Sequence, residues 1–239
     1  MLNRRTILLT LGAFALSALC VRLGFWQWHR MEDKKAEQAL IERHLGADAV
    51  PIQSLLKPGR AVEDHEEWTR VRATGTFDTR RQVTVKFTTR EGRAGADVVT
   101  PLLLPDGSAV LVNRGWMATE NTNARPSSIP PPPRGQIAVE GWLRPDNEAD
   151  GGAVVPVDGQ VRAIASRGLE RHVGRELLPG FINLQEPMAT GLAPEPRPHV
   201  SHALNFFYAL QWWFFAGLAL IGPFWFGREH QAKPYGRLA

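Results

Sequence analysis

The chain contains a single cysteine, Cys20, among 239 residues. That excludes an internal disulfide framework, a site of several thiolates and a haem attached through paired cysteines. No long run of one charge occurs either. The 28 Lys and Arg residues are interspersed with 24 Asp and Glu, so a formal charge of +4 reads as general solubility and no nucleic-acid partner is expected. A Gly-rich phosphate loop, a paired-histidine zinc motif and a Gly-x-Ser-x-Gly elbow are all missing. His65 stands in the acidic run Asp64, Glu66, Glu67, which reads as a solvated loop, and His172 falls in a polar stretch. Nothing assembles a nucleophile, a base and a group to orient it, so the chain is not read as an enzyme. No internal repeat is present.

What is present lies at the two ends. Ile7 to Trp28 is apolar apart from Arg22 and, as one helix, would reach roughly 33 Å, enough to cross a bilayer. The rival is a cleaved secretory signal with Arg4 and Arg5 as its basic start and Ala13-Phe14-Ala15 as its cut. The run continues past that cut and closes on tryptophans suited to an interfacial belt, which favours an uncleaved anchor. The second run, Phe206 to Phe226, carries no charge and reads as a span, with Gly222-Pro223 bending its far end. Because the mean hydropathy is only −0.22, most of the chain lies outside these runs.

Arg4 and Arg5 on one side of the first run face Arg22, Arg30, Lys34 and Lys35 on the other, and this balance decides nothing. Arg228, Lys233 and Arg237 after the second run outweigh Arg197 before it, which favours cytoplasmic termini and a middle region outside the cytoplasm. The expected division is a cytoplasmic start at 1–6, a transmembrane helix at 7–28, a β-rich periplasmic domain at 29–203, a transmembrane helix at 204–226 and a cytoplasmic tail at 227–239. The fold class is thus a membrane protein of α+β type, with one span near each terminus flanking a barrel-like or sandwich-like domain.

Within the middle, Met31 to His44 reads as a polar helix continuing the first span. Short alternating or β-branched runs follow: TRVRATGTF, QVTVKFTT, DVVTPLLL, AVLVNRGWM and QIAVEGWLR. Pro105-Asp106-Gly107-Ser108 joins two of them by turn chemistry. Pro126 to Pro133 predicts an extended loop, and Asn147 to Gly152 another. Ser166 to Leu177 predicts one short helix and FINLQEP a last strand. Arg114 admits two readings, an anion site or an inward partner for a carboxylate.

The two spans also meet one membrane face. The first ends with Trp26, Gln27, Trp28 and His29; the second begins with His202, Asn205, Tyr208, Gln211, Trp212 and Trp213. His202, Asn205, Ala209, Trp212 and Ala216 follow 3-4-3-4 spacing and form one stripe. Its small residues admit a second helix or a flat ligand. Polar side chains at this depth mark function unless they are simply amphipathic residues at an interface.

LGFWQWHRMEDK resembles the N-terminal motif of the Surfeit locus protein family, assembly factors for haem-copper cytochrome c oxidase. RVRATGTFD, PLLLPDGSAVLVNRGWM, VEGWLRP and YALQWWFFA are similar to further family blocks, in the same order. The resemblance marks Gly75, Asn113, Arg114, Gly115 and Trp116 as motif residues of the β domain, while Trp26, Gln27 and Gln211, at the shared membrane face, are candidate helix or partner contacts. It implies a multi-pass protein of the bacterial inner membrane that helps haem a enter subunit I of the oxidase or stabilises that subunit, with subunit I, haem a synthase and the lipid bilayer as partners. Some bacterial members bind haem a through a histidine three residues before the tyrosine of Tyr-Ala-x-x-Trp. Asn205 stands there in this chain, and asparagine is a poor iron ligand. His202, one turn earlier, is the substitute candidate ligand, His199 lies just beyond, and Tyr208 and Trp212 would help form the pocket. The competing reading is a membrane-tethered periplasmic binding or sensor module with no haem role.

Overall fold

The computed structural model describes residues 4–188 and 190–229; Lys233 and Arg237 of the basic tail lie outside them. The chain divides into two compact units, Met1–Leu40 with Pro198–Ala239, and Ile41–Arg197.

Helix α1 runs unbroken over Arg4–Gly46, 43 residues. No proline interrupts it, and its second half is rich in Ala, Glu, Lys and Gln, all strong helix formers. The polar helix expected at Met31–His44 is therefore the same element as the first apolar run. Helix α5, Ala203–Glu229, continues through Gly222-Pro223. Both helices contain a window long and apolar enough to cross a membrane.

Within the first unit the helices pack antiparallel. Ser17 Oγ donates to the Ala216 carbonyl (3.1 Å), and further along α1 the Gln27 amide meets Asn205. The α1 positions turned inward are Ser17, Cys20, Gly24, Gln27, Met31 and Lys34, at the 3-4 spacing of a helix-pair seam. Ala209 (0% exposed) and Ala216 (5%) supply the facing seam. Of the two occupants the small-residue stripe admits, the second helix is the one that fills it. Aromatic packing closes the seam, with Trp213 5.5 Å from Phe25 and 5.8 Å from Trp28 between ring centroids.

Gly24 permits that approach, since a Cβ there would lie 2.2 Å from the Trp213 indole nitrogen. Gly24→Leu is expected to weaken the pair by about 1–3 kcal/mol. Its readout is oxidative cross-linking of Ser17→Cys to Ala216→Cys in a Cys20→Ser background. Undiminished cross-linking would contradict the packing described.

The second unit is an eight-stranded sheet of β1 (Val50–Pro51), β2 (Arg70–Phe77), β3 (Val83–Arg90), β4 (Arg93–Leu103), β5 (Ala109–Ala118), β6 (Gln136–Arg144), β7 (Gln160–Val161) and β8 (Leu177–Glu186), in the order β1-β2-β6-β8-β5-β4-β3-β7. A further pairing of β2 with β4 closes β2-β6-β8-β5-β4 into a ring. The sheet is barrel-like, one of the two architectures that the strand spacing allowed. Alternation on β2 sends Val71 and Ala73 inward. With Leu102, Val110, Val112, Val139, Leu143, Ile182 and Leu184 they fill the interior. A second core lies on the other face of β5, where Ala109, Leu111, Val99 and Phe181 pack with Leu169 and Val173 of a short helix, α4 (Ser166–Val173). The helices α2 (Ile52–Leu55) and α3 (Gly151–Val154) are single turns.

That helix is shorter than the sequence predicts. Gly174 caps it in the left-handed region at φ 70°, and the chain enters β8 at Leu177, earlier than the strand expected from FINLQEP. Likewise β4 starts at Arg93 rather than Asp97, because Glu91 and Gly92 (φ 51° and 73°) make a tight turn that pairs Arg90 with Arg93.

Candidate functional site

In the helix-pair unit, polar residues gather where Gln27 and Lys34, seven apart on α1, face the start of α5. Asn205 lies between them. Its Nδ2 donates to Gln27 Oε1 (2.8 Å), and its Oδ1 accepts from Lys34 Nζ (3.0 Å). The Asn205 amide is thus engaged at both ends by α1. Gln38 Oε1 accepts from the Val200 N–H at 2.8 Å, tying down the approach to α5.

His202 stands immediately before α5, and its carbonyl accepts the Phe206 N–H (3.4 Å). The imidazole is half-buried, and its Nδ1 is shielded from solvent without a hydrogen-bond partner. Buried polar atoms are nearly always bonded, and His172 Nε2 on α4 is in the same state. His199 lies in exposed coil. Trp212 is half-buried and meets Phe215 edge-on at 6.1 Å. Tyr208 is 48% exposed and Gln211 exposed, both turned away from the seam. Trp26 is likewise exposed and carries the Arg30 guanidinium over its ring at 5.6 Å. Of the residues singled out in the sequence, then, the structure brings Gln27 and Asn205 into contact and packs Trp213 against α1, leaves His202 and Trp212 half-buried, and leaves Trp26, His199, Tyr208 and Gln211 exposed. Lys34 is the member that sequence reasoning missed. Extending the Gly24, Gln27 spacing by one heptad would have found it.

In the β unit, the Asn113–Trp116 motif sits on β5. Asn113 Nδ2 donates to Asn183 Oδ1 (3.1 Å), while its own Oδ1 accepts the Gly115 N–H (3.1 Å), so the buried amide is satisfied at both ends. Arg114 is 2% exposed. Its guanidinium donates to Gln82 Oε1 (3.0 Å) and the Pro130 carbonyl (2.7 Å) and lies over the Phe77 ring. The acceptors are neutral, so the carboxylate partner that one sequence reading allowed is not what holds it. Burial lowers its pKa to about 10, which leaves it charged at neutral pH.

Gly115 and Trp116 hold the segment that approaches α5. Gly115 has φ 129°, and a Cβ there would meet the Ala193 carbonyl at 2.6 Å. Trp116 and Ala193 exchange both backbone hydrogen bonds at 2.7 Å. Arg90 reinforces this clamp, donating to the Pro194 carbonyl (2.8 Å), to Asp97 (2.7 Å) and to Glu195. Burial pushes Asp97 up to about 6; the Arg90 charge opposes that rise and nearby Glu195 adds to it.

An antiparallel pair of apolar helices and a barrel-like β unit with a buried Asn-Arg-Gly-Trp clamp define the class: a two-helix protein carrying one small β module. Comparison with known sequences gives the family. The chain belongs to the SURF1 family, whose sequence model matches residues 14–217. Uncharacterised SURF1-like proteins of Mycobacterium bovis and Mycobacterium tuberculosis are 29% identical over 222 residues, covering 90% of this chain and 80% of theirs. A SURF1-like protein of Rickettsia bellii is 26% identical over 107 residues, 44% of this chain and 42% of its own. The family is membrane-associated and linked to cytochrome oxidase assembly, a role of assembly rather than catalysis.

Proposed function

We propose that this protein is an assembly factor of the bacterial inner membrane for haem-copper cytochrome c oxidase. In this reading both helices span the bilayer, the β unit lies in the periplasm and the termini in the cytoplasm. The protein takes haem a as cargo, supplied by haem a synthase, and passes it to subunit I or steadies that subunit while it is loaded.

One observation carries the haem reading: His202, at the start of α5, keeps an imidazole nitrogen without a hydrogen-bond partner among the described residues. Neutral imidazole is a usual axial ligand of haem iron, whereas Asn205 is a poor ligand already bonded to Gln27 and Lys34. Ala209, fully buried, and Trp213 against Gly24 fill the seam beyond. The residues therefore fit a flat cargo at the rim, not one inserted between the helices. His202 would hold the iron, and the amide and ammonium beside it would orient the macrocycle's edge.

The protein purified from cells that make haem a is expected to carry a Soret band, and His202→Ala to reduce it about tenfold or more. An unchanged band in that variant removes His202 from the role. Deletion of the gene is expected to deplete assembled oxidase while haem a synthesis continues. An unaffected oxidase would favour a periplasmic binding or sensor module instead.

A further inference from the structure

Lys34 is half-buried in the helix-pair unit, and among the described residues its ammonium has one partner, the neutral Asn205 side-chain carbonyl oxygen. None of the ion pairs among the described residues involves Lys34, although Glu32, Asp33 and Glu37 are close in sequence. Arg30, one turn earlier on α1, is stacked on Trp26. An ammonium carries three donors, so two remain for something else. The neighbouring groups hold Lys34 in place without neutralising it: Asn205 receives its proton, and Gln27 fixes Asn205 in the orientation that presents Oδ1 to it. One helical turn from that amide stands His202 with its unused nitrogen. Structural lysines at such sites are usually paired, because a charge withdrawn from water needs a counter-charge. Here the geometry has the shape of a two-point receptor, a coordinating imidazole at one point and a fixed cation at the other.

We propose that Lys34 is the anchor for a carboxylate of the cargo, so that the rim selects an amphiphile with an acidic edge, a porphyrin bearing free carboxylates, rather than any flat hydrophobic macrocycle. The inference rests on the haem reading above and deepens it. Asn205 and Gln27 act as positioning residues for the cation. The substitution of asparagine for the family's histidine thereby divides two tasks between two residues: the ligand moves one turn to His202, and position 205 becomes the seat of the anchor.

The test uses the full chain in detergent, titrated with iron protoporphyrin and with its dimethyl ester, following the Soret absorbance. The parent chain is expected to bind the free acid about tenfold more tightly than the ester, the scale of one charge-assisted contact. Lys34→Gln is expected to abolish that preference by lowering the affinity for the free acid to that for the ester, and Lys34→Arg to keep it. His202→Ala is expected to alter the Soret position with both porphyrins. Equal binding of acid and ester by the parent chain overturns the anchor while leaving the haem reading intact. So does a Lys34→Gln variant that weakens both ligands alike, which would make Lys34 a tie between helices only. Binding of neither porphyrin overturns the haem reading and the anchor with it.

Discussion

Gly75→Ala is expected to destabilise the β unit by about 3–5 kcal/mol, a large part of the 5–15 kcal/mol that typically holds a domain together. Gly75 lies where β2 leaves β6 and turns to β4, closing the ring through Thr76 with Leu103 and Phe77 with Leu102. A Cβ at this point would meet the Leu103 carbonyl oxygen at 2.3 Å and Leu102 Cγ at 2.9 Å. The first obstacle is backbone, which cannot rotate aside as a side chain would. Either the closure opens or β4 shifts, and Leu102, fully buried in the interior, would lose its packing. Gly46→Ala, whose Cβ meets nothing within 4 Å, is the matched control and is expected to change little. Thermal unfolding followed by circular dichroism measures both. If the two variants melt together, the closure does not depend on that approach.

Asp97→Asn is expected to act in the opposite direction, stabilising the domain by about 2 kcal/mol at pH 7.5 and changing little at pH 4. The Asp97 carboxyl is raised to about 6, chiefly by burial. A group whose folded pKa is raised contributes stability fully below its unfolded value, 3.8, and loses that contribution as pH rises through about 6. At neutral pH two carboxylates, Asp97 and Glu195, share the Arg90 guanidinium at a poorly solvated place. The amide removes the buried charge and still offers Arg90 an acceptor, while Glu195 keeps its ion pair. Glu140, held below the usual carboxylate range by hydrogen bonds from Arg72 and Arg70, produces an opposite slope, but equally in both proteins, so the difference isolates Asp97. Urea unfolding at pH 4, 6 and 7.5 gives the comparison. A variant less stable by the same amount at each pH would mean that the Arg90 pair outweighs the cost of burial.

Features governed by local chemistry were readable in the sequence. The Pro105–Ser108 turn, the strand centres and the continuous helix each follow from turn residues, period-two alternation or the absence of proline. The stripe on α5 was also readable, because 3-4 spacing fixes a face. What the face meets was not, since an alanine in contact with a helix and one in contact with a ligand look alike as letters. Asn205 shows this most directly: its place on the stripe was legible, but its engagement by Gln27 and Lys34 depends on how two segments more than 160 residues apart come into register. The ring closure escaped for a related reason, resting on two residue pairs around a glycine that reads equally well as a turn signal. The Arg90 clamp joins β3 to the chain just before the second helix, and nothing in either stretch points to the other. Arg114 admitted two readings in the sequence, an anion site or an inward partner for a carboxylate, and only tertiary structure shows that it is buried against neutral acceptors.

Strand β5 is buried on both faces from Ala109 to Trp116, with a separate core against each side. Its peptide protons should therefore be the last in the domain to trade with deuterium, released only when the entire barrel comes apart. Residues 113–116 lie within that slowest segment, so the clamp they form would persist through partial openings and disappear only with the native state itself.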